Sequence, residues 1–361
     1  MGNKRIVIIG AAIIDVLVRP AGEKVFQTGS YPAEDIRMSP GGDALNEATI
    51  LALMGKKVEL QTIIGDDMAG KMIKNHCMDC GIHLPVHAVR QGMVTGINVV
   101  LVQENGERNF LTNANGSLRK LKLEDVILPF AEETAVLCLA SIFVSPELGE
   151  KELYQIFSAA KEQGILVCAD MTKPKKGERT EDLKKVLPLI DYLLPNEQEV
   201  CMLTGKETAE EAAEELFAAG AGNVIVKCGA RGCFVRNQEM ARLFPAVQQA
   251  ECVDTTGAGD SFAAGFLYGL SEGYGIAECA EYANQCGAKA ISVMGHLTGS
   301  KGEKSSGTAI VTCTTVVPDL PPISEVSGWI SSKNGSFLLT HPAKLLRCSF
   351  LPLVRFSGTE E

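Results

Sequence analysis

Nowhere in the 361 residues do about 18 apolar residues run together, so no segment is expected to span a membrane. The apolar run near the start, Ile6–Ile9, is too short for a signal peptide, and a cytoplasmic protein is expected. Basic side chains are outnumbered, 34 Lys and Arg against 44 Asp and Glu, for a formal net charge of -10. That balance argues against nucleic acid or an anionic membrane as a partner. An acidic protein that binds phosphates must find positive potential in helix ends, a few basic side chains or a metal. Gly10-Ala11-Ala12-Ile13 does not supply the Gly-x-Gly-x-x-Gly of a nicotinamide-binding fold, which rules against a dehydrogenase. Residues 299–305 approach a P-loop but lack a Gly before the Lys and an apolar strand upstream, and read as a solvated turn. Cys77 and Cys80 lie near His76, His83 and His87, but no second cysteine pair follows, so zinc is not expected.

What is present describes a globular α/β chain. Hydrophobic residues make up 46% and charged residues 22%, enough apolar content for a sizeable core. The 12 cysteines are scattered, mostly inside apolar runs such as Val136–Ala140 and Ile165–Ala169, as small hydrophobes in a reducing compartment. Ile6–Ile9 reads as a buried parallel strand, continued by Ile13-Ile14-Asp15, with Asp15 just past its carboxyl end, the edge where open α/β sheets bind ligands. Val58–Ile64, Val136–Leu139, Leu166–Ala169, Tyr192–Leu194 and Val224–Lys227 read as further strands. Helix-like segments between them include Glu150–Gln163, and Ala277–Val293 follows as a long helix. This alternation predicts a parallel sheet covered on both faces. Thr95–Gln103 and Arg108–Leu111, joined by the turn signal Asn105-Gly106, predict a hairpin standing off the main sheet as a lid.

The chemistry concentrates in two glycine-rich runs. Asp254-Thr255-Thr256-Gly257-Ala258-Gly259-Asp260 leads into apolar residues at Phe262, Phe266, Leu267 and Leu270, one buried face of a helix. A glycine loop opening a helix aims unpaired N–H groups and the positive dipole end at one point, an anion hole. Asp260 lies within it, where a carboxylate can take a proton while the N–H groups hold a phosphate. A lone Gly-x-Gly-Asp is usually only a capped helix; the second run, Gly41-Gly42-Asp43-Ala44-Leu45-Asn46-Glu47-Ala48, also opening a helix, argues otherwise.

Together, GGDALNEA at 41–48 and DTTGAGDSFAAGF at 254–266 resemble the two signatures of the ribokinase-like (PfkB) carbohydrate kinase family. Asp15, GDDMAG at 65–70, the lid hairpin, PNEQE at 195–199 and KCGARG at 227–232 fit the same pattern, over roughly residues 4 to 298. The resemblance implies a three-layer α/β/α fold with a mostly parallel central sheet and a small β-sheet lid, built from about residues 16–40 and 92–112. It implies ATP-dependent phosphorylation of a sugar hydroxyl, with Asp260 as base and Gly257, Ala258 and Gly259 as anion hole. Asp15, Gly41, Gly42 and Asn46 are the implied sugar clamp. Asn196, Lys227, Gly229, Gly232, Asn284 and Lys173 fall where the family meets the nucleotide, with Lys227 standing where many relatives have Thr. Glu199 matches a residue that helps place Mg²⁺ through water, and Asp254 and Thr256 match positions that hold K⁺ in some relatives.

Residues 1–300 are therefore expected to form the kinase domain, and 301–361, rich in Pro, Ser and Thr and holding the only Trp (Trp329), a partly disordered C-terminal appendage. The expected partner is a small-molecule sugar, with pairing of two copies through the lid a further expectation. The alternatives are a nucleoside kinase of the same fold, with Phe26, Tyr31 and Phe110 available to hold a base, and a catalytically silent sugar- or nucleotide-sensing protein.

Overall fold

The structure is a computed structural model, and it describes residues 4–22, 24–104, 107–247 and 257–293, together with 340–341 and 344–345. Asn105-Gly106, Asp254, Thr256, residues 299–305 and Trp329 lie outside the described residues. The chain divides into two units, Met1–Pro318 and Asp319–Glu361. In the second, Thr340–His341 pairs antiparallel with Lys344–Leu345.

The first strand, β1 (Arg5–Ile9), shows why the sheet is buried on both sides. Ile6 and Ile8 enter one apolar cluster, Val7 and Ile9 the other, and none of the four is exposed by more than 1%. A strand with two dry faces needs a continuous apolar run, and β1 has one. After it come β2 (Ile13–Arg19), β3 (Asp35–Gly41), β4 (Lys57–Gln61), β5 (Ile64–Gly65), β6 (Val89–Arg90), β7 (Ile97–Val102), β8 (Arg108–Thr112), β9 (Thr134–Ile142), β10 (Leu166–Met171), β11 (Tyr192–Leu193), β12 (Asn223–Lys227), β13 (Cys233–Arg236) and β14 (Ala241–Phe244). The helices are α1 (Lys24–Thr28), α2 (Asp43–Leu53), α3 (Met68–Cys80), α4 (Glu150–Glu162), α5 (Glu197–Thr204), α6 (Ala209–Ala218), α7 (Ala258–Glu272) and α8 (Ile276–Val293).

The main sheet has the order β14-β13-β12-β11-β10-β9-β1-β4, parallel from β12 to β4, with β13 and β14 antiparallel at one edge. Helices α2, α3, α7 and α8 bury their apolar faces in the cluster on one side, and α4, α5 and α6 in the cluster on the other. This is the three-layer arrangement expected from the sequence. Helices α7 and α8 approach closely because glycines face cysteines: a Cβ on Gly265 would lie 2.6 Å from Cys286 Sγ, and one on Gly269 2.9 Å from Cys279 Sγ. Every described cysteine is free. No helix among the described residues is long and apolar enough to cross a membrane.

A separate four-stranded sheet, β3-β2-β7-β8, accounts for the predicted hairpin, with β7 and β8 antiparallel over Asn98–Thr112 to Val102–Arg108. One local expectation is corrected. Ile13-Ile14-Asp15 does not continue β1; the chain breaks at Gly10–Ala12, and Asp15 lies in β2, paired with Ser39 of β3 and Asn98 of β7. Gly10 has φ 154°, and a Cβ there would sit 2.9 Å from Ala44 Cβ, so the crossing depends on the missing side chain.

In chain order β1 is followed in the sheet by β4 on one side, and the later strands build outward from its other side through β9. The strand order therefore reverses between β1 and β9. Crevices at such points, outside the carboxyl ends of the strands, are the ligand sites of open α/β sheets. Gly10, Ala11, Ser141 and Phe143 line the crevice there.

Candidate active site

Helix α7 begins at Gly257, whose left-handed φ of 72° turns the chain into the helix. Ser261 N closes the first turn on Gly257 O at 2.9 Å. The amides of Ala258, Gly259 and Asp260 precede any intrahelical acceptor and face outward with the positive end of the dipole. Asp260 sits in that first turn, and its Oδ2 accepts a hydrogen bond from Asn46 Nδ2 at 2.7 Å, joining the two glycine-rich runs across 214 residues. Burial, then the nearby Asp43, pushes the Asp260 carboxyl up to about 7; the Asn46 bond and Lys227 pull the other way.

Helix α2 starts behind Gly42, held at φ 96°, where a Cβ would meet Ala11 O at 2.7 Å. Its first turn presents Asp43, bonded by the Ser141 hydroxyl from the end of β9, and then Asn46. Glu47, one residue on, is fully buried: the Cys138 thiol donates to Oε2 at 3.4 Å, and Oε1 has no partner. Burial first, then Asp170, Asp260 and Asp43, drives Glu47 well above the carboxylate range. On the lid side, Asp15 lies directly against Gly41, where any Cβ would land on its Oδ2. Its carboxyl is pushed up to about 6, by burial foremost, with Asn98 opposing and Asp43 adding.

The opposite wall is built on β12. Lys227 N donates to Pro195 O at 2.8 Å, and the side chain forms an ion pair with Asp170 at the end of β10. Both are enclosed, with side chains 13% and 7% exposed. Burial disfavours the ammonium, yet Asp170, Glu199 and Asp260 together outweigh it and hold Lys227 above the usual lysine range. For Asp170 burial wins over Lys227, and its carboxyl rises to about 7. Nζ stands 3.8 Å from where a Cβ on Gly259 would be, so the charge rests against the opening of α7. Asn196 and Glu199 form a capping box on α5: Asn196 Oδ1 accepts from Glu199 N at 2.9 Å, and Glu199 Oε2 from Asn196 N at 2.8 Å.

Gly229 and Gly232 shape the turn after β12, Gly232 at φ 100° against Phe244 O. Arg231 ties that turn to Glu197 of α5 at 2.5 Å and Glu210 of α6 at 2.9 Å. Asn284 is buried, and its amide nitrogen donates to Phe244 O and Pro245 O, both at 3.2 Å, so it braces the end of β14. Lys173 is exposed in the loop after β10. The structure thus brings together Asp260, Gly257, Ala258, Gly259, Asn46, Gly42 and Lys227, with Asp15 and Gly41 on the lid side and Asn196 and Glu199 beside Lys227. Sequence reasoning missed Asp43, Glu47, Ser141 and the part played by Asp170. The four-residue spacing of Asp43 and Glu47, which puts both on the face that carries Asn46, was the available signal. In the His76, Cys77 and Cys80 group, His76 Nε2 lies 2.8 Å from Thr49 Oγ1 and 3.8 Å from Cys80 Sγ, and Cys77 is buried in the core.

The description "pfkB family carbohydrate kinase" matches residues 3–301, and the chain belongs to that family of phosphotransferases acting on sugars or nucleosides. It is 30% identical over 281 residues to the ribokinase of Haemophilus influenzae, covering 76% of this chain and 85% of that protein. It is 29% identical over 289 residues to the cytidine kinase of Thermococcus kodakarensis, covering 76% and 91%. Among solved structures, Arabidopsis thaliana ribokinase complexed with ribose and ATP superposes with a TM-score of 0.65 at 26% identity, covering 82% of this chain and 94% of that one.

Proposed function

We propose that the protein transfers the γ-phosphoryl group of ATP to a hydroxyl of a sugar held between Asp15, Gly41, Gly42 and Asn46. The observation that carries this reading is the meeting of Asp260, Asn46 and the α7 amides at one point, with Lys227 against Gly259. The acceptor hydroxyl gives its proton to Asp260 as its oxygen bonds to the γ-phosphorus. The bond from that phosphorus to the β–γ bridging oxygen breaks, and ADP leaves. Charge growing on the phosphoryl oxygens is met by the N–H groups of Ala258, Gly259 and Asp260 and by the Lys227 ammonium. The nucleotide lies along Asn196, Lys227 and the Gly229–Gly232 turn, with Asn284 bracing its wall and Lys173 at its outer edge. Asp15 and Asn98 offer the carboxylate and amide pair that a polyol's adjacent hydroxyls require.

The donor set suits a hard divalent cation. Asp170, Glu199 and Asp260 surround the Lys227 ammonium, Asp43 lies beside Asp260, and all four offer oxygen. Glu199 would hold Mg²⁺ through water, with phosphate oxygens supplying other ligands. When bound, Mg²⁺ neutralises phosphate charge. The K⁺ positions Asp254 and Thr256 fall outside the described residues. Ile36, Met38 and Phe110 on the lid sheet are 65%, 51% and 60% exposed, which supports pairing with a second copy.

Two measurements test the reading. ADP release is followed over neutral pentoses and hexoses, sugar acids, sugar phosphates and nucleosides; turnover of a sugar is expected. Turnover confined to nucleosides would replace the sugar by a nucleoside, and a blank with ATP still bound would leave a silent binding protein. Gly41→Ala, whose methyl lands on the Asp15 carboxylate, is expected to raise the acceptor KM about tenfold or more and leave the KM for ATP unchanged. An unchanged acceptor KM would remove Asp15 from the clamp.

A further inference from the structure

The crevice at the strand-order reversal opens outward into a cleft of about 710 Å³, with Phe143, Val144, Ser145, Leu148 and Leu153 lining both. Its inner end reaches Ser141, the partner of Asp43, and so borders the proposed acceptor site. At the turn between the two stands Phe143, the one non-glycine residue with positive φ (74°) among the described residues. Such a conformation is retained where the surroundings enforce it, and it clusters at ligand sites.

The charges around the cleft are unevenly committed. Glu178 Oε2 accepts from Lys175 N at 2.8 Å and Lys176 N at 2.7 Å, Asp182 Oδ2 from Arg179 N at 2.8 Å, and Glu150 Oε1 from Lys185 N at 3.1 Å. These carboxylates shape loops. Arg119 and Lys175, which also line the cleft, make no ion pair or side-chain hydrogen bond with the described residues. Burial and then the neighbouring Arg119 and Lys173 hold the Lys175 ammonium below the usual lysine range, against the opposing pull of Glu199 and Asp43. Arg119 and Lys175 therefore offer positive charge that no carboxylate among the described residues pairs with directly, in a cleft that Glu150, Glu178, Glu181 and Asp182 also line.

We propose that the acceptor carries an anionic group, a carboxylate or a phosphate, which docks between Arg119 and Lys175 in this cleft while its hydroxyl lies at Asp260. The inference rests on the phosphotransfer reading above. Guanidinium and ammonium groups suit either anion, Arg by a two-point grip and Lys as a point charge. A cleft of this size has room for the substituent of a sugar acid or a sugar phosphate.

The test is ADP release at saturating Mg·ATP, with sugar acids, sugar phosphates, their neutral counterparts and nucleosides in separate arms. An anionic acceptor is expected to show a KM about tenfold or more below that of its neutral counterpart, rising with ionic strength; the arm in which it appears identifies the anion. Arg119→Gln and Lys175→Gln, both at exposed positions, are each expected to raise that KM about tenfold, with the KM for ATP unmoved. Preference for a neutral sugar or nucleoside overturns the inference and leaves phosphotransfer standing. A rise in the KM for ATP in either variant also overturns it, by assigning the cations to the nucleotide. A blank in every arm removes both readings together.

Discussion

Replacing Asp260 by Asn is expected to lower kcat by roughly 10²–10⁴-fold while acceptor and nucleotide binding, measured by calorimetry, change little. The variant keeps an oxygen to accept the Asn46 bond, and the amides of α7 are untouched, so only the proton acceptor is lost. Near-normal turnover would remove Asp260 as the base. The same carboxyl sets the pH dependence. With burial holding it at about 7, kcat/KM is expected to fall on the acid side of that value in the free enzyme. Asn46→Ala removes a donor that favours the ionised form, so the acid limb should move to higher pH. The linkage to stability has a definite sign. The native state holds the proton more tightly than the unfolded chain, so this group's contribution declines as pH rises from the ordinary carboxylate value of 3.8 to about 7. At pH 8 the Asn variant should therefore melt no lower than the parent.

The second large effect belongs to Lys227. Lys227→Met is expected to destabilise the protein by about 3–5 kcal/mol in urea unfolding, because Asp170 is left enclosed without its cation. Adding Asp170→Asn should recover much of that loss, since the second substitution removes the stranded charge. Additive losses would show that the two side chains do not act as a pair. Turnover should stay low in the double variant even where stability returns, because the positive charge beside Gly259 is still missing.

The parts of the site that local rules govern were legible in the chain. Glycine pairs before helices mark the openings of α2 and α7, and the apolar spacing from Phe262 to Leu270 marks the face of α7 that packs inward. Three-layer order followed from apolar strands alternating with helices. What was not legible depends on pairing between distant strands. Asp15 looked like the end of β1 because Gly10–Ala12 is as apolar as its neighbours; only the pairing with Ser39 and Asn98 places it in the other sheet. The antiparallel edge, β13 and β14, is made of strands of four residues, too short for a period to declare itself. Asp170 and Lys227 are 57 residues apart, and their ion pair exists only because β10 and β12 flank the short β11. Asn284 looked like a wall residue facing a ligand, and which way its amide points was decided by the carbonyls of Phe244 and Pro245.

The displacement of Asp15 from β1 to β2 also bears on how recognition and motion are linked. A carboxylate at the end of a central strand would be part of the rigid frame, as Lys227 and Asp170 are. Asp15 is instead carried by the smaller sheet, joined to the frame through the three-residue joint Gly10–Ala12. Any swing of that sheet carries the carboxylate with it, so on the proposed reading grip on the acceptor and the angle of the sheet become a single equilibrium. Whatever holds the sheet down would then tighten the grip, and by reciprocity a bound acceptor would bias the sheet toward the frame to the same extent.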